Sequence, residues 1–360
     1  MKKIYYTFLS FVFISTLLYI PSKAIAQEEN DILSYFKNFK FNTYIDAYYS
    51  YDSDKDKILK QFSSISPYRD RFRINIAQLS LKYNTEKIRG TFTMHFGDIP
   101  KVNWPGDNQY IQEANVGFSP YKNLWIDAGY FLTHIGCEGI PKNNYFSSFS
   151  LQSYYEPFFQ SGVKISYDFS EKLSACLHIL NGYNVLDDNN KNKSAGLQLT
   201  YTPKPDLKFT YNNIIGNEMP TGTDGKIRFL NNVIINLSCK KLELAAGLDF
   251  GLQEKTKLAD STTAYVYGVL MSAKYHILPK FSAMARAEFY QDLDGVLSGL
   301  IVNDRGAKGN GISLGVEFNP VESAYIRLEG RYLRMDANEK IFYNNDNQRT
   351  EGIVSFGFEY

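Results

Sequence analysis

From Leu242 to Gln253 the chain alternates with a period of two. Leu242, Leu244, Ala246, Leu248, Phe250 and Leu252 fall on one face, and Glu243, Ala245, Gly247, Asp249, Gly251 and Gln253 on the other. Successive side chains of a strand stand on opposite faces. One greasy face backed by a small or polar one is the lipid-out, lumen-in pattern of a membrane barrel strand. The same reading recurs at Phe41–Ser50, Lys87–Phe96, Ile227–Ser238, Phe281–Tyr290 and Ala324–Leu333. The segment Arg71–Tyr83 changes phase near Ala77 and Gln78, which reads as a β-bulge.

A soluble antiparallel sandwich also alternates, so the connections have to discriminate. About 16 strands can be drawn, at roughly 40–51, 71–83, 87–97, 109–118, 123–133, 158–168, 172–181, 194–202, 207–215, 226–237, 242–253, 263–275, 281–290, 311–318, 323–335 and 349–360. The connections between them then alternate strictly between short and long. The long ones lie near 52–70, 98–108, 134–157, 182–193, 216–225, 254–262, 291–310 and 336–348. Short turns on one rim and long loops on the other describe an all-β, transmembrane, antiparallel up-and-down barrel, with short periplasmic turns and long extracellular loops. An even strand number puts both termini on the short-turn rim.

The N-terminus sets the compartment. Lys2 and Lys3 precede an apolar run to Ile20, and Ala24-Ile-Ala26 is a small-x-small site. Residues 1–26 therefore read as a cleaved secretory signal peptide, with cleavage between Ala26 and Gln27. Residues 27–38 are then a short periplasmic segment with no room for a plug, and 39–360 a single barrel domain. No Cys follows the cut, which argues against a lipoprotein. No later stretch has the roughly 18–20 uncharged apolar residues of a spanning helix. The implied location is the outer membrane of a Gram-negative-type bacterium, with the bilayer as partner.

Charge is balanced, 39 Lys and Arg against 38 Asp and Glu, so no basic excess points to nucleic acid. Aromatic residues make up 16% of the chain, and they suit both strands and membrane interfaces. Cys137, Cys176 and Cys239 form neither a disulfide framework nor a zinc pattern and read as incidental thiols. The stretch Asp52-Ser-Asp-Lys-Asp56 lacks the glycine and the bidentate Glu of a calcium loop, so it reads as a solvated external loop. Neither HExxH, GxSxG nor a P-loop occurs. No catalytic residue, metal site or cofactor is assigned, and the chain reads as a non-enzyme.

The third long loop, 134–157, is the longest, and long ordered loops are commonly functional. In general porins this loop folds into the barrel, and by analogy it is the candidate constriction here, with Glu138, Lys142, Asn143, Asn144, Tyr145, Ser148 and Ser150 as its polar residues. Rings of charge on lumen-facing positions set selectivity. The candidate pore-lining residues are basic Arg71, Arg73, Arg89, Lys164, Arg228, Arg286, Arg327 and Arg331. The acidic ones are Glu113, Asp127, Asp249, Glu288 and Glu329. The two signs nearly balance, and Arg286 with Glu288, or Arg327, Glu329 and Arg331, could equally pair across strands. Ion preference stays open.

Trp125-Ile-Asp-Ala-Gly-Tyr-Phe-Leu-Thr-His-Ile-Gly-Cys-Glu138, Asn143 and Asn144, Ser147–Ser150, Pro157, Gly162 and Asn181-Gly-Tyr-Asn184 resemble the OmpL-like outer-membrane porins. The resemblance runs over essentially the whole mature chain. It implies a barrel with porin-like activity and supplies no catalytic residue. Phe356, Phe358 and Tyr360 resemble the terminal-strand signal read by the outer-membrane barrel assembly machinery. The function expected is passive diffusion of small polar solutes. The alternatives are a non-conducting barrel acting through its external loops, an outer-membrane enzyme, or a secreted soluble binder. A homotrimer is an assembly suggested only by analogy with other porins.

Overall fold

The computed structural model describes residues 36–188, 190–336 and 340–360. Its sixteen strands are β1 (Phe39–Asp52), β2 (Phe72–Asn84), β3 (Ile88–Phe96), β4 (Ile111–Tyr121), β5 (Leu124–Leu132), β6 (Phe159–Asp168), β7 (Leu173–Leu180), β8 (Ser194–Lys204), β9 (Leu207–Asn217), β10 (Ile227–Cys239), β11 (Leu242–Gln253), β12 (Ala264–Leu278), β13 (Phe281–Gln291), β14 (Lys308–Phe318), β15 (Ala324–Met335) and β16 (Gln348–Glu359). Each pairs antiparallel with its sequence neighbours, and β1 pairs with β16 to close the barrel. Closure leaves no unpaired sheet edge, a condition for spanning hydrocarbon with strands. Two short helices interrupt the long loops, α1 (Asp98–Asn103) and α2 (Leu151–Tyr155). No helix among the described residues is long and apolar enough to cross a membrane.

Long and short connections alternate throughout. The longest short turn is 319–323 and the shortest long loop is 218–226. Period-two patterning sorts the side chains. On β15, Tyr325, Arg327, Glu329, Arg331 and Leu333 are buried, whereas Ile326, Leu328 and Tyr332 are exposed. The outer face carries exposed Leu314, Met271 and Leu328, and aromatic rings gather at its two ends. Phe39 with Tyr83 and Tyr167 with Phe169 lie at the short-turn rim. Tyr49 with Phe72, Phe96 with Tyr110, and Phe250 with Tyr265 lie at the long-loop rim. Two aromatic girdles flanking an apolar band mark the lipid interfaces.

Sequence and structure differ in three places. The bulge in β2 falls at Asn75, two residues before the expected phase change: Asp46 pairs with Ile76 and Ala47 with Ile74, so Asn75 is the extra residue. Its amide turns inward to Asp46 Oδ1 at 2.9 Å. Arg71 stands one residue ahead of β2 and is exposed, so it is not on the strand. The acidic stretch at the end of β1 is only partly solvated, with Lys55 and Asp56 exposed. Asp52 and Asp54 are buried, with Asp54 accepting the N–H groups of Tyr343 (2.9 Å) and Asn344 (3.0 Å). The signal peptide and the Ala26/Gln27 junction lie outside the described residues.

One glycine pair is set by close approach. Gly129 of β5 faces Gly162 of β6 on the inner wall, at φ +131° and +156°. A Cβ at Gly129 would strike the Ala114 carbonyl, and one at Gly162 the Ile179 carbonyl. Only glycine combines this backbone with that clearance.

Candidate functional site

The inner wall divides into two unlike halves. Along β13–β16 the charged side chains are buried: Arg286, Glu288, Arg331, Arg349 and Glu351. Along β2–β6, Arg73, Arg89, Glu113 and Lys164 remain partly exposed. Part of the difference follows from residues 138–151, whose side-chain and backbone hydrogen bonds reach Arg286, Glu288, Arg327 and Glu329 on the buried half.

Arg286 of β13 is the hub. Its Nη1 donates to Glu138 Oε1 (2.9 Å) and the Ser148 carbonyl (2.7 Å), and its Nη2 to Ser148 Oγ (2.7 Å) and Ser313 Oγ (2.9 Å). Glu138 Oε2 in turn accepts the N–H and O–H of Ser150, at 2.8 and 2.7 Å. Ser150 is the N-cap of α2 and its hydroxyl accepts the Ser153 N–H, a stabilising use of Ser at that position. Ser147 N–H donates to Glu329 (2.8 Å), Ser148 O–H to the same carboxylate, and Leu151 N–H to Glu288 (2.5 Å). Nearer the short-turn rim, Arg327 donates to the Pro141 carbonyl (2.7 Å) and Lys142 meets Glu359 (2.5 Å). Asn144 closes the loop on itself, donating to the Gly139 carbonyl and accepting its N–H. Asn143 is exposed, and the Tyr145 ring lies 6.0 Å from the Lys274 ammonium.

The wall charges are thus largely matched. Arg331 reaches Glu288 across the intervening strand β14, at 2.9 and 3.0 Å. Gly311 permits this, since a Cβ there would lie 2.6 Å from Glu288 Oε1. Arg327 pairs with Glu317 (2.6 Å), Arg73 with Asp98 of α1 (2.6 Å), and Arg89 with Asp127 (2.5 Å). Lys60, from the loop after β1, pairs with Glu351 at 2.7 Å, and both side chains are fully buried. Arg228 donates to Gln253 (2.8 Å) and to the Val296 carbonyl (2.9 Å), whereas Asp249 accepts from Asn232 (2.5 Å). Buried charges persist when paired and hydrogen-bonded, so these residues hold loops to the wall. Lys164 differs: its ammonium lies 4.3 Å over the Phe131 ring and is held by no carboxylate among the described residues.

The motif residues anchor both ends of 134–157. His134 stacks on His178 (centroids 4.0 Å apart) and hydrogen-bonds Gln160 (2.8 Å) and the Asn213 carbonyl (2.9 Å). Burial holds the His134 imidazolium form down, so its pKa lies below the usual 6.5. At the other end Asn184, itself at φ +56°, accepts the N–H groups of Phe158 and Phe159, and the Tyr183 hydroxyl donates to the Tyr155 carbonyl. Burial, followed by the neighbouring Asp249 charge, raises Glu156 well above the ordinary carboxyl range. Cys137 packs against Gly247: a Cβ on that glycine would come 2.8 Å from Cys137 Cβ. A small side chain is what the space admits. The residues the sequence did not single out are Lys60, Asp98, Arg349 and Glu351. Lys60 and Asp98 lie outside the strands. Arg349 and Glu351 lie on β16, and their partners come from distant segments.

A closed sixteen-stranded barrel with a lipid-facing apolar band, aromatic girdles and a charged interior is an outer-membrane barrel of the porin class. The chain belongs to the family described as "Putative beta-barrel porin-2, OmpL-like", whose model matches residues 38–360. No curated protein matches the sequence. Among solved structures it is similar to an anion-selective porin from Comamonas acidovorans (TM-score 0.62, 9% identity, 89% of this chain and 99% of that one). It is also similar to the outer membrane channel DcaP of Acinetobacter baumannii (0.61, 10%, 89% and 97%) and to OmpT of Vibrio cholerae (0.59, 13%, 89% and 97%). At these identities the likeness is one of fold.

Proposed function

We propose that the protein is a passive porin for small hydrophilic solutes, whose water-filled path is narrowed by residues 134–157 folded inside the barrel. The observation that carries this reading is the asymmetry of the inner wall. The Arg286 side chain is fully buried beneath the loop, while that of Arg89 retains 33% of its exposure. The uncovered strip along β2–β6 is the path the reading assigns to solute. A barrel of this size leaves an aqueous channel unless its loops fill it. The chain is exported by its signal peptide and folded by the assembly machinery through its C-terminal strand. A homotrimer belongs to the same reading, supported by the solved trimer form of OmpT.

Single-channel conductance of the refolded barrel in a planar bilayer, with solute competition, tests the proposal. Steady nanosiemens-scale steps that enlarge when residues 142–150 are replaced by a short Gly-Ser linker support it. A silent, correctly folded barrel overturns it.

A second reading has its own support. Phe62, Val296, Ile341 and Phe342, from three different long loops, form one buried cluster with Leu151. That cluster sits toward the long-loop rim and favours a closed outer mouth. A silent barrel would therefore move the function to the external loops.

A further inference from the structure

Between the loop after β1, the α1 segment and residues 132–158 lies a cavity of about 290 Å³. Its walls are mainly apolar, with Ile65, Ile99, Ile140, Trp104, Phe149 and Phe158 among them, and exposed Asn143 marks where it opens. The volume is at the small end of ligand pockets, which run from about 300 to 1,000 Å³ and are lined mostly by hydrophobic and aromatic groups. Apolar cavities bind apolar guests readily because water gains little there. Trp104 is only 6% exposed, and its indole N–H has no hydrogen-bond partner among the described residues.

The acidic groups at the wall carry no free charge toward the cavity. Glu138 is neutralised by Arg286 and bonded twice to Ser150. Burial favours the protonated form of Glu156 and of the Cys137 thiol. Nothing here recruits an ion.

We propose that this cavity is a binding site for a small neutral, apolar molecule with an aromatic or alicyclic body, which would pack on the Trp104 ring. Occupancy does not require the barrel to conduct, so its test stands apart from the conductance test.

The sequence has two tryptophans, Trp104 and Trp125, and each can be made the sole emitter. The refolded barrel is prepared in detergent as Trp125→Phe, leaving Trp104, and as Trp104→Phe, leaving Trp125. Each is titrated with bromobenzene, a heavy-atom quencher. Saturable quenching of Trp104, several-fold stronger than that of Trp125, is expected. Ile140→Phe and, independently, Ile99→Phe should fill the cavity and abolish the saturable phase while the folded barrel, checked by its heat-modifiable gel band, persists. Equal, non-saturating quenching of both tryptophans would mean partition into detergent only and would overturn the proposal. So would saturable quenching untouched by both fillings.

Discussion

Arg286 of β13 and Glu138 of the third long loop meet at 2.9 Å inside the barrel, the arginine side chain fully buried and the glutamate side chain nearly so. Their separation in sequence is 148 residues, and the contact joins the wall to the covering loop. Removing one partner of a buried, hydrogen-bonded pair costs about 3–5 kcal/mol where the other charge is left uncompensated; Arg286 keeps Glu329 at 3.6 Å and Glu288 at 3.9 Å, so Glu138→Ala should cost less than that. Glu138→Ala should release the loop, giving noisier and larger conductance steps with little change in barrel secondary structure. Arg286→Met, which removes the charge at the hub, should cost more because Ser148 and Ser313 also lose their donor. Bilayer recordings combined with circular dichroism check both.

His134 and Glu156, near the two ends of that loop, give opposite pH dependences. His134 has a folded pKa below 6.5 because burial disfavours its charge. The unfolded state then binds the extra proton, and stability from this group is present above about pH 6.5 and is lost as pH falls. Glu156 has a folded pKa well above 4.5, from burial and the Asp249 charge. Here the folded state binds the extra proton, so stability falls as pH rises above about 4.5. In His134→Gln the thermal midpoint, relative to that of the wild type, should decrease as pH rises from 4.5 to 7. In Glu156→Gln it should increase over the same range. Melts in detergent at several pH values decide it, and a slope of the wrong sign in either variant refutes the assignment for that group.

Gly129 and Gly162 admit no side chain. Gly129→Ala would need a strained backbone, at about 1–3 kcal/mol, and would press on the Ala114 carbonyl of the neighbouring strand. The expected outcome is a marked fall in refolding yield, whereas Gly106→Ala, which has open space around it, should refold normally. Heat-modifiability on gels reads both.

Tyr360 closes the barrel seam, donating its N–H to Thr43 (2.9 Å) and accepting that residue's N–H (2.7 Å). Each such bond contributes about 0.5–1.5 kcal/mol. Deleting Tyr360 should slow assembly into the membrane and lower the thermal midpoint. Tyr360→Phe, which keeps the backbone and the ring, should restore both.

Lys164 is a cation on the uncovered wall with no carboxylate partner among the described residues. Lys164→Glu should shift the reversal potential of the channel toward cation preference in a salt gradient, with its conductance otherwise retained. No shift would place the solute path elsewhere.

The sequence by itself determined the barrel. Period-two patterning fixes which face of each strand is greasy, as in β11 and β15, and the alternation of short and long connections fixes pairing and rim. Both are local signals, repeated along the chain, so errors at single strand ends do not disturb the count. What only the tertiary structure decided is the use of the inward charges. Arg286, Arg327 and Arg331 are legible as inward-facing, but their partners are not. Glu138 and Ser148 come from a loop that obeys no period. Glu288 is reached across β14 only because Gly311 leaves room. The same holds for Asp54, whose acidic neighbourhood reads as solvated until residues 343 and 344 cover it. Side-chain periodicity specifies a direction, whereas a partner is specified by where irregular loops come to rest, and that depends on packing across the whole interior.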